Sequence, residues 1–323
     1  MKLQNVISQR FTTDKSYWQI VFEWEDVFAK ELSLTLSKDN KLRCNKFISH
    51  IPWISNIITT RKTSLLFEMT PDLGLRSGLN KPNIVPLIID FYLKEDQLPL
   101  FYKRYNKHKC ILISSKEVYD FLKQHKCPLP IYHLALSIAN QYKIDSTNSF
   151  SKVFDLVLMG RPNAVLMKFL EEDSNSHKGF KYVYNKLENH KYSYFTSDGV
   201  CLGSLETRED FLGMMRKAKV TFYSTPGIDG GEIRTNGFNQ VTPRFLEQIS
   251  SCCHVIARYP NNSDVEYYEL ERFCPSINSY KDFEKVLDKA RTEAVNLAFY
   301  SKYLAKHYTS VRAHELSNIL NKL

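Results

Sequence analysis

The chain has 323 residues, 43% hydrophobic and 24% charged, a composition that excludes a disordered protein and gives enough length for two ordinary domains. Its formal net charge of +9 is uneven: residues 1–150 hold 21 Lys and Arg against 14 Asp and Glu, a net of +7, and the remainder holds +2. An anionic partner that meets the N-terminal half is expected from this asymmetry.

The sequence lacks the signals that are typical of several other classes of protein. Residues 1–19 have no apolar core of a signal peptide, and no stretch approaches the ~18 apolar residues that span a bilayer. The seven cysteines are odd in number and irregularly spaced, as in a reducing compartment. We therefore expect a cytoplasmic protein. No helix-turn-helix, RRM or zinc-finger pattern occurs, so no nucleic-acid partner is expected.

The N-terminal half alternates short apolar runs with polar, helix-like segments. The pattern predicts buried strands at residues 63–68, 83–90 and 110–115, and helices at 97–108 and 116–124, the second capped by Ser115. This alternation is typical of a parallel sheet covered on both faces.

A polar segment at residues 143–152 is the best candidate linker, and the same rhythm resumes after it. Strands are predicted at 153–159, 218–223 and 254–257, helices at 207–217 and 243–252, and a helical run at 280–323. The sequence therefore predicts an α/β protein of two Rossmann-like domains, 1–148 and 149–323, that face a cleft. Ligands of such sheets bind beyond the carboxyl ends of the strands.

The densest chemical signal is the segment 226–247, between a predicted strand and a predicted helix. Four of the chain's 11 glycines lie within residues 227–237, and Gly230 and Gly231 would let the backbone approach a ligand. Thr242 suits an N-cap, with Pro243 at the first helical position. The free N–H groups of such a helix start suit a diphosphate, which Arg244 would also contact. Glu247, further along the helix, would accept hydrogen bonds from ribose hydroxyls.

Other candidates lie at neighbouring strand ends. Gly160 and Arg161 close the strand 153–159. Arg258, after the next predicted strand, would neutralise a phosphate, and Asp264 would bind sugar hydroxyls. Each candidate also has a simpler interpretation. The glycine-rich segment could be an ordinary loop, Thr242 with Pro243 an ordinary helix cap, and the segment from Arg258 to Asp264 a solvated turn. Neither GxGxxG nor GxxxxGK[ST] occurs, so a dinucleotide fingerprint and a P-loop are excluded.

The run Thr-Pro-Arg-Phe-Leu-Glu (242–247) resembles the "T-x-R-x-x-E" segment of GT-B glycosyltransferases of the spore-maturation-protein-like group. Residues 154–161, 218–223 and 307–312 resemble other parts of that family's C-terminal domain. The resemblance implies a GT-B fold, a ribose-binding role for Glu247 and diphosphate contacts from Thr242 and Arg244. Many retaining members carry a second Glu eight residues earlier, where this chain has Asn239. A retaining and an inverting outcome both stay open.

Candidates for the transfer chemistry lie in the N-terminal half. Asp90 ends a buried strand and is the expected base, with Glu68 and Asp72 as alternatives at another strand end. The sequence identifies no catalytic partner for three histidines, so a structural role is expected for each of them: His50, His108 and His133. No DxD pair and no ligand-spaced His/Cys cluster occurs, so we expect metal-independent transfer with no cofactor.

These features predict a glycosyltransferase that moves a sugar from a nucleotide-sugar donor to a glycan acceptor, in capsule or O-antigen polysaccharide synthesis. The acceptor is expected to be lipid-linked, because basic clusters at 41–46 and 101–109 would attract an anionic membrane surface. Solvated helix faces are the alternative for these lysines. The alternatives for the function are a nucleotide-sugar epimerase and a non-catalytic sugar-binding module.

Overall fold

A computed structural model describes residues 1–11, 13, 15–38, 62–74, 81–176, 179–188 and 191–323. The basic cluster at 41–46 and His50 lie outside these residues. The chain divides into two compact units: unit 1 is residues 1–140 with 309–323, and unit 2 is residues 141–308. In the described part of the chain, no helix is both long and apolar enough to cross a membrane.

Unit 1 contains a six-stranded sheet in the order β2-β1-β3-β4-β5-β6, and its described strand pairs are parallel. Its elements are β1 (Asn5–Ser8), α1 (Gln19–Glu31), β2 (Thr35–Lys38), β3 (Ser64–Glu68), β4 (Ile84–Ile88), α2 (Leu98–Tyr105), β5 (Ile111–Ile113), α3 (Lys116–Gln124), β6 (Ile131–His133) and, from the end of the chain, α11 (Thr309–Asn321).

The core of unit 1 explains why the end of the chain belongs to it. Strands β3 and β4 are buried along their whole length, as expected of strands covered on both faces. On one face, Phe67 packs against Trp24 and Phe28 of α1. Leu316 of α11 belongs to the same buried cluster, and the Trp24 indole donates a 3.0 Å hydrogen bond to the Ser137 carbonyl. The last helix therefore completes the first core.

Unit 2 contains a second six-stranded sheet, in the order β10-β9-β8-β7-β11-β12. Its elements are β7 (Phe154–Val157), α4 (Ala164–Ser176), β8 (Tyr182–Glu188), β9 (Lys191–Thr196), β10 (Cys201–Gly203), α5 (Arg208–Arg216), β11 (Ala218–Ser224), α6 (Glu232–Thr235), α7 (Pro243–Ser250), β12 (His254–Arg258), α8 (Ser263–Tyr267), α9 (Tyr280–Thr292) and α10 (Leu297–Leu304).

Strands β8, β7, β11 and β12 are parallel, whereas β8, β9 and β10 are joined in antiparallel pairs. The sequence prediction missed this antiparallel extension, because its strands are only half-buried and lack a continuous apolar run. Tyr184 and Phe195 stack across it with ring centroids 5.8 Å apart. Cross-strand aromatic pairs of this kind stabilise a sheet edge.

Candidate functional site

The strand order of unit 2 marks one place where a ligand would bind. Strand β7 pairs with β8 on one side and with β11 on the other, so the chain reverses its winding between β7 and β11. Open α/β sheets bind ligands at the carboxyl ends of the strands at such a switch point. The turn 160–163 follows β7 and the loop 225–231 follows β11, so both lie at this edge.

The turn after β7 meets the start of α7. Gly160 has φ +69°, and a β-carbon added there would collide with the guanidinium of Arg244. The Gly160 carbonyl accepts a 2.8 Å hydrogen bond from the Asn185 amide. The structure thus brings the predicted residues Gly160 and Arg244 into contact, and glycine is required both for its backbone angle and for the space.

Helix α7 begins at Pro243, directly after Thr242, as the sequence predicts. The capping chemistry differs from the prediction, because the Thr242 hydroxyl makes no capping hydrogen bond to the described backbone of that helix. Instead the Thr242 backbone N–H donates a 3.0 Å hydrogen bond to the Tyr223 hydroxyl at the end of β11. Strand and helix start are therefore joined through a buried tyrosine.

Asn239 ties the glycine-rich loop together from inside. Its side-chain oxygen accepts a 2.8 Å hydrogen bond from the Thr225 hydroxyl, and its NH₂ group donates to the carbonyls of Gly237 (2.8 Å) and Gly227 (3.3 Å). A β-carbon on Gly227 would collide with the Phe238 carbonyl. The Asn239 side chain therefore has a structural function in this loop.

Arg258, a predicted phosphate ligand, forms an ion pair with Asp229 of the glycine-rich loop. Its Nε and Nη2 lie 2.6 and 3.0 Å from the two carboxylate oxygens of Asp229, and its Nη1 lies 2.7 Å from the Ile277 carbonyl. Asp229 has φ +54° and also accepts a 2.6 Å hydrogen bond from the Asn163 amide. The Asp229 carboxylate thus links the turn after β7, the loop after β11 and the last residue of β12.

Sequence reasoning named neither Asp229 nor Asn163 as a site residue. The available signals were a carboxylate between the glycines of the loop and an asparagine that caps α4. The Asn163 side chain accepts hydrogen bonds from the backbone N–H groups of Val165 and Leu166. Each signal has a common local explanation, and only the fold shows that the two side chains meet.

Glu247 lies inside unit 2, with its side chain 5% exposed. Its Oε1 forms an ion pair with Nη2 of Arg208 at 2.6 Å. Arg208 is the first residue of α5, whose other end leads into the amino end of β11, so this helix start lies at the carboxyl edge of the sheet. Arg208 was not predicted, because nothing local distinguishes it from a solvated helix residue.

The remaining predicted donor residues differ in exposure. Arg161 and Gly230 are exposed, and Gly230, at φ +97°, donates its backbone N–H to the Glu232 carboxylate at 2.9 Å. Gly231 packs so closely on the Pro226 carbonyl that no β-carbon fits. Asp264 is fully buried in the first turn of α8 and does not face solvent.

The three predicted catalytic carboxylates lie together at the carboxyl edge of unit 1. Glu68 ends β3, is buried, and accepts a short hydrogen bond from the Tyr105 hydroxyl. That hydroxyl accepts a 2.9 Å hydrogen bond from the Asp72 backbone N–H. Asp90 lies two residues beyond β4 and donates its backbone N–H to the Met69 carbonyl at 2.7 Å. Asp72 and Asp90 are half-buried.

Burial raises the pKa of the Glu68 carboxyl to about 7. Of the histidines considered from the sequence, His108 is bonded to the Ile84 carbonyl at 2.9 Å, and burial lowers its pKa. Burial, with the nearby charge of Arg312, lowers the pKa of His133 to about 4. Within the described residues, no group of three or more His, Cys, Asp and Glu side chains is placed to hold a metal ion.

No protein-family model matches the chain, and no curated protein is similar to it in sequence. Among solved structures it is similar to the pneumococcal O-GlcNAc transferase GtfA in complex with UDP and GlcNAc, with a TM-score of 0.53 and 9% identity over 85% of this chain and 60% of GtfA. The GtfA/B complex gives a TM-score of 0.52 with 7% identity over 85% and 60%.

The chain has the fold of a glycosyltransferase. At such low identity the likeness concerns the fold alone, and it confirms the predicted α/β class of the GT-B type, with two Rossmann-like sheets. The chain spans 60% of the length of the GtfA chain that it matches.

Proposed function

We propose that this chain is a metal-independent glycosyltransferase whose nucleotide-sugar donor binds at the carboxyl edge of unit 2. The observation that carries the proposal is the convergence of three features at the switch point: the start of α7, the Arg244 guanidinium against Gly160, and the Glu247 carboxylate. A helix start and an arginine suit a diphosphate, and a carboxylate suits ribose hydroxyls.

The proposed chemistry is the breaking of the bond between the sugar and the diphosphate. Negative charge grows on the leaving diphosphate, so Arg244 and the positive end of the α7 helix dipole would stabilise the transition state in place of a metal ion. Asp90 would remove the proton from the acceptor hydroxyl if the reaction inverts the anomeric centre, with Glu68 and Asp72 as alternatives. GtfA was solved with UDP and GlcNAc, which favours UDP as the first nucleotide to test.

We further propose a lipid-linked glycan acceptor at an anionic membrane surface, within polysaccharide synthesis. The support is the charge of the N-terminal half and the basic segment 101–109. Phe101 and Tyr105 of this segment are buried in unit 1, whereas Lys103 and Lys109 are exposed. The attraction would therefore be mainly electrostatic, through the exposed lysines of this segment.

One assay separates transfer from the two alternatives. The protein is first screened by thermal shift against UDP, GDP, CMP and dTDP, since a ligand that binds the folded state raises its apparent stability. The matching nucleotide sugars are then incubated with and without acceptor glycans. A transferase releases the nucleoside diphosphate, or CMP in the case of a CMP-sugar, faster when acceptor is present. An epimerase changes the sugar and releases none, and a binding module does neither; either result would contradict the proposal.

A further inference from the structure

We infer that Arg208 is a positioning residue of the donor site: it holds the Glu247 carboxylate in the orientation that receives the ribose hydroxyls of the nucleotide. This inference rests on the proposed function and adds a residue that neither the motif nor the fold comparison assigns. Its basis is the 2.6 Å ion pair between Arg208 Nη2 and Glu247 Oε1 at the carboxyl edge of unit 2.

Burial makes this pair necessary. The Glu247 side chain is 5% exposed and the Arg208 side chain 16% exposed, so neither charge is well hydrated. A buried carboxylate without a partner carries a large desolvation cost. In the described part of the chain, Arg208 is the cation paired with Glu247. Removing Arg208 would therefore leave the Glu247 carboxylate free to turn towards water.

The guanidinium of Arg208 is itself held in place. Its central carbon lies 5.7 Å from the ring centroid of Phe211 and 5.9 Å from that of Tyr142. The backbone at this point is fixed by a capping box, in which Thr207 and Asp210 bond each other's backbone N–H groups. A planar guanidinium suits a site bounded by aromatic rings, and a lysine ammonium does not reproduce that geometry.

The chemical consequence is that the Glu247 carboxylate becomes an oriented hydrogen-bond acceptor for the ribose hydroxyls. The ion pair holds one carboxylate oxygen of Glu247 beside Arg208 Nη2, which restrains the rotation of the carboxylate and so the position of its other oxygen. A hydrogen bond from a hydroxyl to a charged acceptor is worth more than one between neutral groups, provided that the acceptor does not have to reorganise. Arg208 would supply that preorganisation without touching the nucleotide.

The test asks whether replacing Arg208 weakens nucleotide binding only when the nucleotide carries its ribose hydroxyls. Affinities for UDP and 2′,3′-dideoxy-UDP are measured by calorimetry for the wild type, Arg208→Met, Arg208→Lys and Glu247→Gln. If GDP, CMP or dTDP proves to be the ligand, it and its analogue without ribose hydroxyls are used. We expect the wild type to prefer the hydroxylated nucleotide by about tenfold or more. Arg208→Met should bind the dideoxy analogue like the wild type but lose most of the preference.

Arg216→Met is the matched control. Arg216 lies on the same helix and its guanidinium lies over the Phe150 ring at 4.8 Å, yet among the described residues it forms no ion pair with Glu247. This variant should keep the wild-type preference. Should Arg208→Met fail to fold, Arg208→Lys, which keeps the charge, takes its place and should show a reduced preference.

The outcomes distinguish the inference from the proposed function. A folded Arg208 variant that keeps the full preference overturns the positioning role and leaves the donor site intact. A wild type that binds the nucleotide but does not distinguish the dideoxy analogue overturns the ribose contact of Glu247 and Arg208's role with it. A wild type that binds none of the four nucleotides overturns the proposed function itself.

Discussion

Two buried carboxyl groups in unit 1 give the folded protein an unusual dependence on pH. Burial raises the pKa of Glu68 to about 7, and it raises the pKa of Glu25 to about 7 despite a hydrogen bond from the Ser8 hydroxyl and the charge of Arg10. Between the ordinary value of 4.5 and 7, the folded state keeps protons that the unfolded state releases.

We therefore expect the free energy of unfolding to fall as the pH rises from about 5 to 7, by up to ~1.4 kcal/mol per pH unit for each group, and to level off above that range. Urea unfolding followed by tryptophan fluorescence would measure this, since Trp18 and Trp24 both report on unit 1. Glu25→Gln and Glu68→Gln should each flatten the profile, and Asp96→Asn, at an exposed carboxylate of the same unit, should not. A profile unchanged in the first two variants would contradict the assignment.

The donor site makes a second prediction for single residues. Glu247→Ala should weaken nucleotide binding by roughly 1–3 kcal/mol, because the ribose hydroxyls lose their acceptor. Arg244→Ala should also lower kcat, since the charge on the leaving diphosphate grows in the transition state. Calorimetry and initial rates measure the two effects. Arg272→Ala, an exposed arginine of the same unit, is the control, and wild-type behaviour in all three variants would show that the site is misplaced.

The base assignment makes a third prediction. Asp90→Asn is nearly isosteric but accepts no proton, so transfer should fall by about two to four decades while donor affinity holds. The companion variants Glu68→Gln and Asp72→Asn test the other carboxylates of the cluster. Normal transfer by the Asp90→Asn variant would exclude Asp90 as the base. Product stereochemistry, read by NMR, distinguishes an alternative base from a retaining mechanism, which requires none.

At the scale of elements, the site depends on close contact between the turn after β7 and the start of α7. Gly160→Ala would place a methyl group against the Arg244 guanidinium at a backbone angle, φ +69°, that costs an alanine about 1–2 kcal/mol. We expect a fall in both stability and turnover, measured by thermal unfolding and initial rates.

Gly199→Ala provides the matched control for Gly160→Ala. Gly199 also has a left-handed backbone, at φ +89°, but no described atom lies within 4 Å of an added β-carbon. This variant should lose stability through its backbone angle and keep its turnover. Equal turnover in the two variants would mean that the position of Arg244 does not matter for transfer.

At the scale of the whole molecule, the net charge of +7 in residues 1–150 predicts attraction to anionic surfaces. We expect the protein to sediment with phosphatidylglycerol vesicles and not with phosphatidylcholine vesicles, and the binding to weaken with salt. Replacing four basic residues of the segment 101–109 by Gln should reduce it further: Lys103, Arg104, Lys107 and Lys109.

The control for vesicle binding removes the same amount of charge from exposed lysines of unit 2: Lys281, Lys285, Lys289 and Lys302. If this variant loses binding as strongly as the first, the attraction reflects net charge rather than a docking face. Equal sedimentation with both kinds of vesicle, or none, would favour an acceptor in solution.

Local patterns were enough to predict several elements of this protein. Helix α3 runs from Lys116 to Gln124 with the Ser115 hydroxyl as its cap, and α7 begins at Pro243, both as predicted. Strand β3 was predicted within one residue. These features depend on residues that are neighbours in the chain, where apolar spacing, a cap and a proline act over a few positions. The α/β class follows from the order of such elements.

The tertiary structure determines which side chains come into contact and which become buried. Arg208 and Glu247 are 39 positions apart in the sequence, and Asp229 and Arg258 are 29 apart, yet parallel strands bring each pair to one edge of the same sheet. The same folding buries Asp264, turns Phe101 and Tyr105 inwards, and returns the last helix to the first core. Charge pairing and burial depend on the distances between atoms in the folded chain, and these distances are set by strand order, which no local pattern encodes.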